Sequence, residues 1–209
     1  MSILFPSLAS YCQALEQQFD QILPARKQQL LVLSNYLSDQ IQQGKTPAVT
    51  VICTHNSRRS HLAQLWLAVA ADYYQRPTIS SFSCGTEISA FNPRMVAALQ
   101  RIGLKITAQD SSLANPIYEV CWKDTMAPYL AFSKQYGDAP NPQKDFLALV
   151  VCSHADVHCP IVTGSTLKLA LPYQDPKAFD DTDLEASEYT KTCALIGLEI
   201  LFALQQLQP

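Results

Sequence analysis

The stretch Val51-Ile52-Cys53-Thr54-His55-Asn56-Ser57-Arg58-Arg59-Ser60 sets a thiol six residues ahead of an arginine. Apolar residues precede the thiol, and Leu62, Leu65, Trp66 and Val69 follow the arginine at helical spacing. In a strand, polar turn and helix of this kind, the backbone N–H groups of the turn converge and, with the helix N-terminus, can hold an anion. The same donors favour the thiolate of Cys53. Arg59 offers a planar two-donor fork to a tetrahedral oxyanion. Ser60 can donate its hydroxyl hydrogen to the sulfur. Asn56 suits a left-handed backbone position and can lock the loop through its side chain. Basic residues at a helix start oppose the helix dipole, a mismatch that a bound anion repairs.

Two further thiols lie in Cys152-Ser153-His154-Ala155-Asp156-Val157-His158-Cys159-Pro160, seven positions apart. The first closes the apolar run Phe146-Leu147-Ala148-Leu149-Val150-Val151, and the second sits in a polar stretch beside a proline. The histidines between them invite a metal reading, but zinc would trap the very thiols a redox relay must move, so no metal is expected. The seven cysteines, at 12, 53, 84, 121, 152, 159 and 193, are an odd number for a closed disulfide framework and form no paired zinc motif. That favours individually reactive or buried thiols. Cys12 and Cys193 fall on helical stripes and read as packing residues; Cys84 and Cys121 read as small buried side chains.

The elements that must position these residues follow from the apolar pattern. Leu8, Tyr11, Cys12, Leu15, Phe19 and Ile22 form one helical stripe, and Leu30, Leu33, Leu37 and Ile41 form a second after Pro24. Residues 1–45 are therefore expected to be a helical hairpin, a brace on the main domain or a dimer contact. From residue 46 onward the chain changes character. Strands are expected at Ala48–Cys53, near Thr78–Phe82, and at Phe146–Val151, with weaker candidates at Ile117–Trp122, Tyr129–Phe132 and Leu167–Leu171. Helices are expected after Ser60, after Asn92-Pro93, and from about Asp183, the last carrying Tyr189, Cys193, Ile196 and Ile200. Strands alternating with helices over short connections imply βαβ units and a mainly parallel sheet.

Composition narrows the function classes. A chain of 209 residues, 48% apolar, can build one domain with a full core. Its 15 basic and 18 acidic side chains give a charge of -3, which disfavours nucleic-acid binding. No apolar run reaches the roughly 18 residues that would span a bilayer. The start carries no basic segment of a secretory signal, so a reducing, cytoplasmic location is expected.

The loop from Val51 to Gln64 resembles the signature of the low-molecular-weight protein tyrosine phosphatase superfamily, and within it the thioredoxin-coupled arsenate reductases. The resemblance covers roughly residues 47 to 209. It implies a small four-stranded parallel sheet of order 2-1-3-4 flanked by helices, with the N-terminal helices as an extension and an insertion around residues 120–145. It makes Cys53 the nucleophile and Arg59 the oxyanion-binding arginine. Thr54, His55, Asn56, Ser57, Arg58 and Ser60 form and organise the loop. Asp175-Pro176 stands where the family carries an acid that protonates the leaving oxygen. The Cys-Ser, Ala-Asp and Cys-Pro frame of residues 152–160 implies that Cys152 attacks the Cys53 adduct and that Cys159 resolves the disulfide. No cofactor is implied, only an external thiol reductant such as thioredoxin. A phosphatase acting through a phosphocysteine is the alternative, and a non-catalytic oxyanion-binding or partner-binding protein a third reading. His55, Arg58 and Gln64 depart from the residues usual in the family.

Overall fold

The computed structural model of the chain describes residues 4–76, 79–152 and 162–207. Strand β1 spans Ala48–Cys53, β2 Ser80–Gly85, β3 Lys105–Ala108, β4 Tyr118–Cys121, β5 Tyr129–Ala131, β6 Phe146–Val150 and β7 Ser165–Ala170. Helix α1 spans Pro6–Glu16, α2 Pro24–Gln42, α3 Arg59–Tyr73, α4 Pro93–Arg101 and α5 Glu185–Gln205.

Four strands form a parallel sheet in the order β2-β1-β6-β7. Numbered among themselves they run 2-1-3-4, as the family resemblance implies. The central pair explains itself: β1 and β6 are nearly continuous apolar runs buried on both faces, the composition of interior parallel strands. The weak signal at Leu167–Leu171 is the edge strand β7. No helix among the described residues is long and apolar enough to cross a membrane.

The segment expected as an insertion contributes to a second sheet. Strands β3, β4 and β5 pair antiparallel, with Ile106 opposite Val120 and Val120 opposite Tyr129. β3 carries too little pattern to be foreseen: among its four residues, Lys105-Ile106-Thr107-Ala108, only Ile106 is buried. Its pairing with β4 decides its conformation.

Helices α1 and α2 bury Leu8, Cys12, Leu15, Leu30, Leu33 and Leu37 in the same core as β1 and α3. They pack on α5, which fits the brace reading. Proline at the start of each helix has no N–H to leave unsatisfied and is preset for the turn. Polar ties reinforce the packing. Tyr73 and Tyr74 both donate to Glu16 of α1, at 2.9 and 2.6 Å. Arg26 of α2 lies 2.8 Å from Glu199 of α5 and donates through Nε to both its oxygens at 2.9 Å. Cys12 and Cys193 are fully buried, as expected of packing thiols.

Helix α3 meets α5 across Trp66. The indole donates to the Cys193 carbonyl at 3.0 Å, and its ring lies directly over Gly197. A Cβ on Gly197 would come within 2.5 Å of the Trp66 ring. Glycine is therefore required by close approach. Gly197→Ala should lower unfolding free energy by about 1–3 kcal/mol through overpacking, measured by denaturant titration; unchanged stability would show that the α3–α5 contact is looser than described.

Candidate active site

Strand β1 delivers Cys53 to its C-terminal end, and α3 begins at Arg59. The intervening loop is fixed by its own side chains. The Asn56 amide donates to Ser60 Oγ at 2.9 Å, and that oxygen lies 3.0 Å from Cys53 Sγ. Because Asn56 supplies one hydrogen to the Ser60 oxygen, the Ser60 proton is left to point at the sulfur. Asn56 takes the left-handed backbone expected of it, with φ 42°.

Three of the loop carbonyls face outward. That of Thr54 accepts from Glu87 N–H at 2.9 Å and from the Thr86 hydroxyl at 3.2 Å. That of His55 accepts from the hydroxyls of Ser89 at 2.8 Å and Ser133 at 3.2 Å. The Ser57 carbonyl accepts from Asn92 N–H at 2.9 Å. A trans peptide carries its N–H opposite its C=O. These outward bonds therefore turn the amides of His55, Asn56 and Arg58 toward the inside of the loop, where they can act together on an anion.

Two supports of the loop were not legible in the sequence. One is Gly85 at the end of β2: a Cβ there would meet backbone atoms of Glu87, Thr54 and Asn56 at 2.5, 2.6 and 2.7 Å. The other is the segment after β5. Lys134 N–H donates to Asn56 Oδ1 at 2.7 Å, and the Lys134 carbonyl accepts from Gly85 N–H at 2.8 Å. A glycine following a buried strand and abutting a polar turn was the available signal for the first; the second arises from long-range pairing. Behind the loop, the buried His61 ring stacks on Phe91 with centroids 4.2 Å apart. Burial, aided by the Lys134 charge, holds His61 well below its usual pKa, so the ring is neutral.

The two arginines divide their work. Arg59 donates to the Tyr173 carbonyl at 2.8 Å and to Asp175 Oδ2 at 2.6 Å. Asp175 Oδ1 in turn accepts from Lys177 N–H at 3.1 Å, capping the short 3-10 turn Pro176–Phe179. Arg58 turns to the other side. Its Nε donates to the Tyr189 hydroxyl at 2.8 Å, and its Nη2 reaches Asp180 at 3.3 Å, 3.9 Å separating Nε from Asp175. Burial, and then the bond to Asp180, push the Tyr189 phenol up to about 12, so it keeps the proton it donates to Asp180 at 2.6 Å. Cys53, Thr54, His55, Ser57, Arg58, Arg59 and Asp175 line one small cavity of about 10 Å³. His55 stands at its rim, exposed, with Nε2 3.3 Å from Glu87.

The second thiol is close by. Val151 N–H donates to the Ile52 carbonyl at 3.0 Å, so the end of β6 runs beside the end of β1. Cys152 is buried, its Sγ 3.6 Å from the Thr54 hydroxyl. Cys159 lies outside the described residues. Cys84 is buried as expected, while Cys121 is half-buried at the end of β4. Gln64 takes no part in the loop; its amide donates to the Tyr129 hydroxyl at 2.7 Å. No group of three or more acidic, cysteine or histidine side chains capable of holding a metal occurs among the described residues.

The Cys53 loop thus sits at the C-terminal edge of a parallel sheet of order 2-1-3-4. No protein-family model matches the chain. An arsenate reductase of Halalkalibacterium halodurans is 28% identical over 134 residues, 64% of this chain and 77% of that protein. A second, from Brevibacillus brevis, is 26% identical over 125 residues, 60% and 73% of the two chains. Among solved structures, a YwlE mutant from Bacillus subtilis shares the fold with a TM-score of 0.50 at 12% identity, covering 78% of this chain and 99% of that one. The family resemblance is thus borne out as a likeness: the chain is similar in sequence to arsenate reductases over about 60% of its length and shares its fold with the YwlE structure, and these likenesses support an enzyme.

Asp175 holds the guanidinium that a tetrahedral anion would need, so the two compete for Arg59. Asp175→Asn weakens the competitor and should tighten inorganic phosphate binding by about 3–10-fold at pH 7, read by calorimetry. Equal or weaker binding would mean that Asp175 helps to hold the anion.

Proposed function

We propose that the chain is a thiol-dependent arsenate reductase. The observation that carries this reading is the buried thiol of Cys152 at the end of β6, 3.6 Å from the hydroxyl of the residue that follows Cys53. A phosphate-ester hydrolase has no use for a second thiol there. The relatives named arsenate reductase add support.

In this reading the loop amides and Arg59 bind arsenate, with Asp175 displaced from the guanidinium. The Cys53 thiolate attacks arsenic, an S–As bond forms, and one arsenate oxygen leaves as water after protonation. Asp175, which borders the same cavity, would supply that proton once it has left Arg59 and been protonated from solvent. The Cys152 thiolate then attacks the Cys53 sulfur. An S–S bond forms, the S–As bond breaks, and arsenic keeps the electron pair, leaving as arsenite. Two thiols have lost two electrons and arsenic(V) has become arsenic(III). Cys159 attacks Cys152 to release Cys53, and an external dithiol such as thioredoxin reduces the Cys152–Cys159 disulfide.

A second reading has its own support. Asp175 follows β7, faces the loop and sits in an Asp-Pro pair, the position of an acid that protonates an ester leaving group. Phosphomonoester hydrolysis through a phosphocysteine would need Cys53, Arg59 and Asp175 alone.

The test is arsenate-dependent oxidation of reduced thioredoxin beside hydrolysis of p-nitrophenyl phosphate. Arsenate turnover is expected in the wild type and should fall by about 100-fold or more in both Cys53→Ser and Cys152→Ser, since each removes a thiol that must form a bond. No arsenate turnover, with ester hydrolysis that survives Cys152→Ser, would establish the hydrolase instead.

A further inference from the structure

A cavity of about 630 Å³ opens between α3, the outer edge of β2 and the small antiparallel sheet, apart from the Cys53 loop. Its volume lies in the range of small-molecule sites, about 300–1,000 Å³. Phe82, Trp122, Tyr129 and Phe132 give it aromatic walls, and the Trp122 and Tyr129 rings are 5.5 Å apart.

Lys134 also lines it, although its side chain is buried, with only 3% of the residue exposed. The ammonium donates to the Phe132 carbonyl at 3.1 Å and lies 4.5 Å from the Phe132 ring centroid. An ammonium carries three donors, and this arrangement engages one of them. Burial pushes Lys134 down to about 8, countered in part by Cys84 and Asp138, so the amine is still charged near pH 7. The Asp138 carboxylate is itself engaged by Gln135 N–H at 2.8 Å. The other charges at the cavity cancel: Lys123 lies 2.7 Å from Asp72, which also accepts from the Trp122 indole at 2.6 Å.

Gln64 adds a directional feature. The Tyr129 proton is committed to the Ser81 carbonyl, so the Tyr129 oxygen must accept from the Gln64 amide nitrogen. This fixes the amide orientation and leaves Gln64 Oε1 buried without a hydrogen-bond partner. A buried acceptor of that kind costs about 1–3 kcal/mol unless something donates to it.

We propose that this cavity binds a small aromatic carboxylate, its anion on Lys134, its ring among Phe82, Trp122, Tyr129 and Phe132, and a ring N–H or O–H on Gln64 Oε1. A cation within aromatic walls selects an anion carried on a flat apolar body; an inorganic anion would leave the walls wet. The assignment is independent of the chemistry at Cys53.

Indole-3-acetate is a suitable probe, with indole-3-ethanol lacking the charge and 1-naphthylacetate lacking the ring donor. Calorimetry on the full chain at pH 7 should show one site for indole-3-acetate with a Kd below about 1 mM. Indole-3-ethanol should bind about 10-fold or more weakly, and 1-naphthylacetate several-fold more weakly. Lys134→Met removes the charge; Ala68→Trp fills the cavity from the half-exposed face of α3 and keeps the test decisive if the first variant does not fold. Each should weaken indole-3-acetate about 10-fold or more. No heat from the wild type, equal affinity for the acid and the alcohol, or binding that survives Ala68→Trp would overturn the proposal.

Discussion

Everything else hangs on how the loop after Cys53 is turned: the carbonyls of Thr54, His55 and Ser57 must point outward. Left alone, a polar loop would satisfy those carbonyls with water and let its amides scatter. Here Thr86, Glu87, Ser89, Asn92 and Ser133 engage them from outside. The amides are thereby aimed at the space above Cys53 before any anion arrives. Such preorganisation is what makes a hydrogen-bond cradle effective, because no reorganisation is needed when charge develops. The cost appears at Asn56, a non-glycine residue held at φ 42°, and is offset by its two side-chain bonds to Ser60 and Lys134.

The rest of the fold serves that loop through three lines of support. The parallel sheet brings the ends of β1 and β6 side by side, which places Cys152 next to Thr54. The segment after β5 closes the loop from behind and joins it to β2 at Gly85. The N-terminal helices reach it indirectly. Arg26 of α2 pairs with Glu199, Glu199 accepts from the Tyr173 hydroxyl at 2.6 Å, and the Tyr173 carbonyl holds Arg59. A brace that looked merely structural thus ends three contacts away from the arginine of the loop.

The sequence revealed local order and concealed long-range pairing. The thiol, the arginine, the left-handed asparagine and the two buried strands were legible because each depends on neighbours within a few residues. The packing roles of Cys12 and Cys193 were legible for the same reason, from helical periodicity. β3 was invisible because a four-residue strand with one buried side chain has no pattern of its own. Lys134 as a support of Asn56, across 78 positions, has no local signature either. Arg58 shows the limit most plainly. Its place in the loop suggested a role toward the anion, whereas its side chain is engaged by Tyr189 and Asp180, residues whose proximity only the folded chain creates.

The proposed contact is an oxyanion held against the Cys53 sulfur by the loop amides and Arg59. It is tested most directly by alkylating Cys53 with iodoacetamide while titrating arsenate, with the modified cysteine located by mass spectrometry. Such a contact requires saturable protection of Cys53 in the wild type and loss of that protection, by about 10-fold or more in the arsenate concentration needed, in Arg59→Met. Alkylation of Cys53 that proceeds at the same rate with and without arsenate would contradict it.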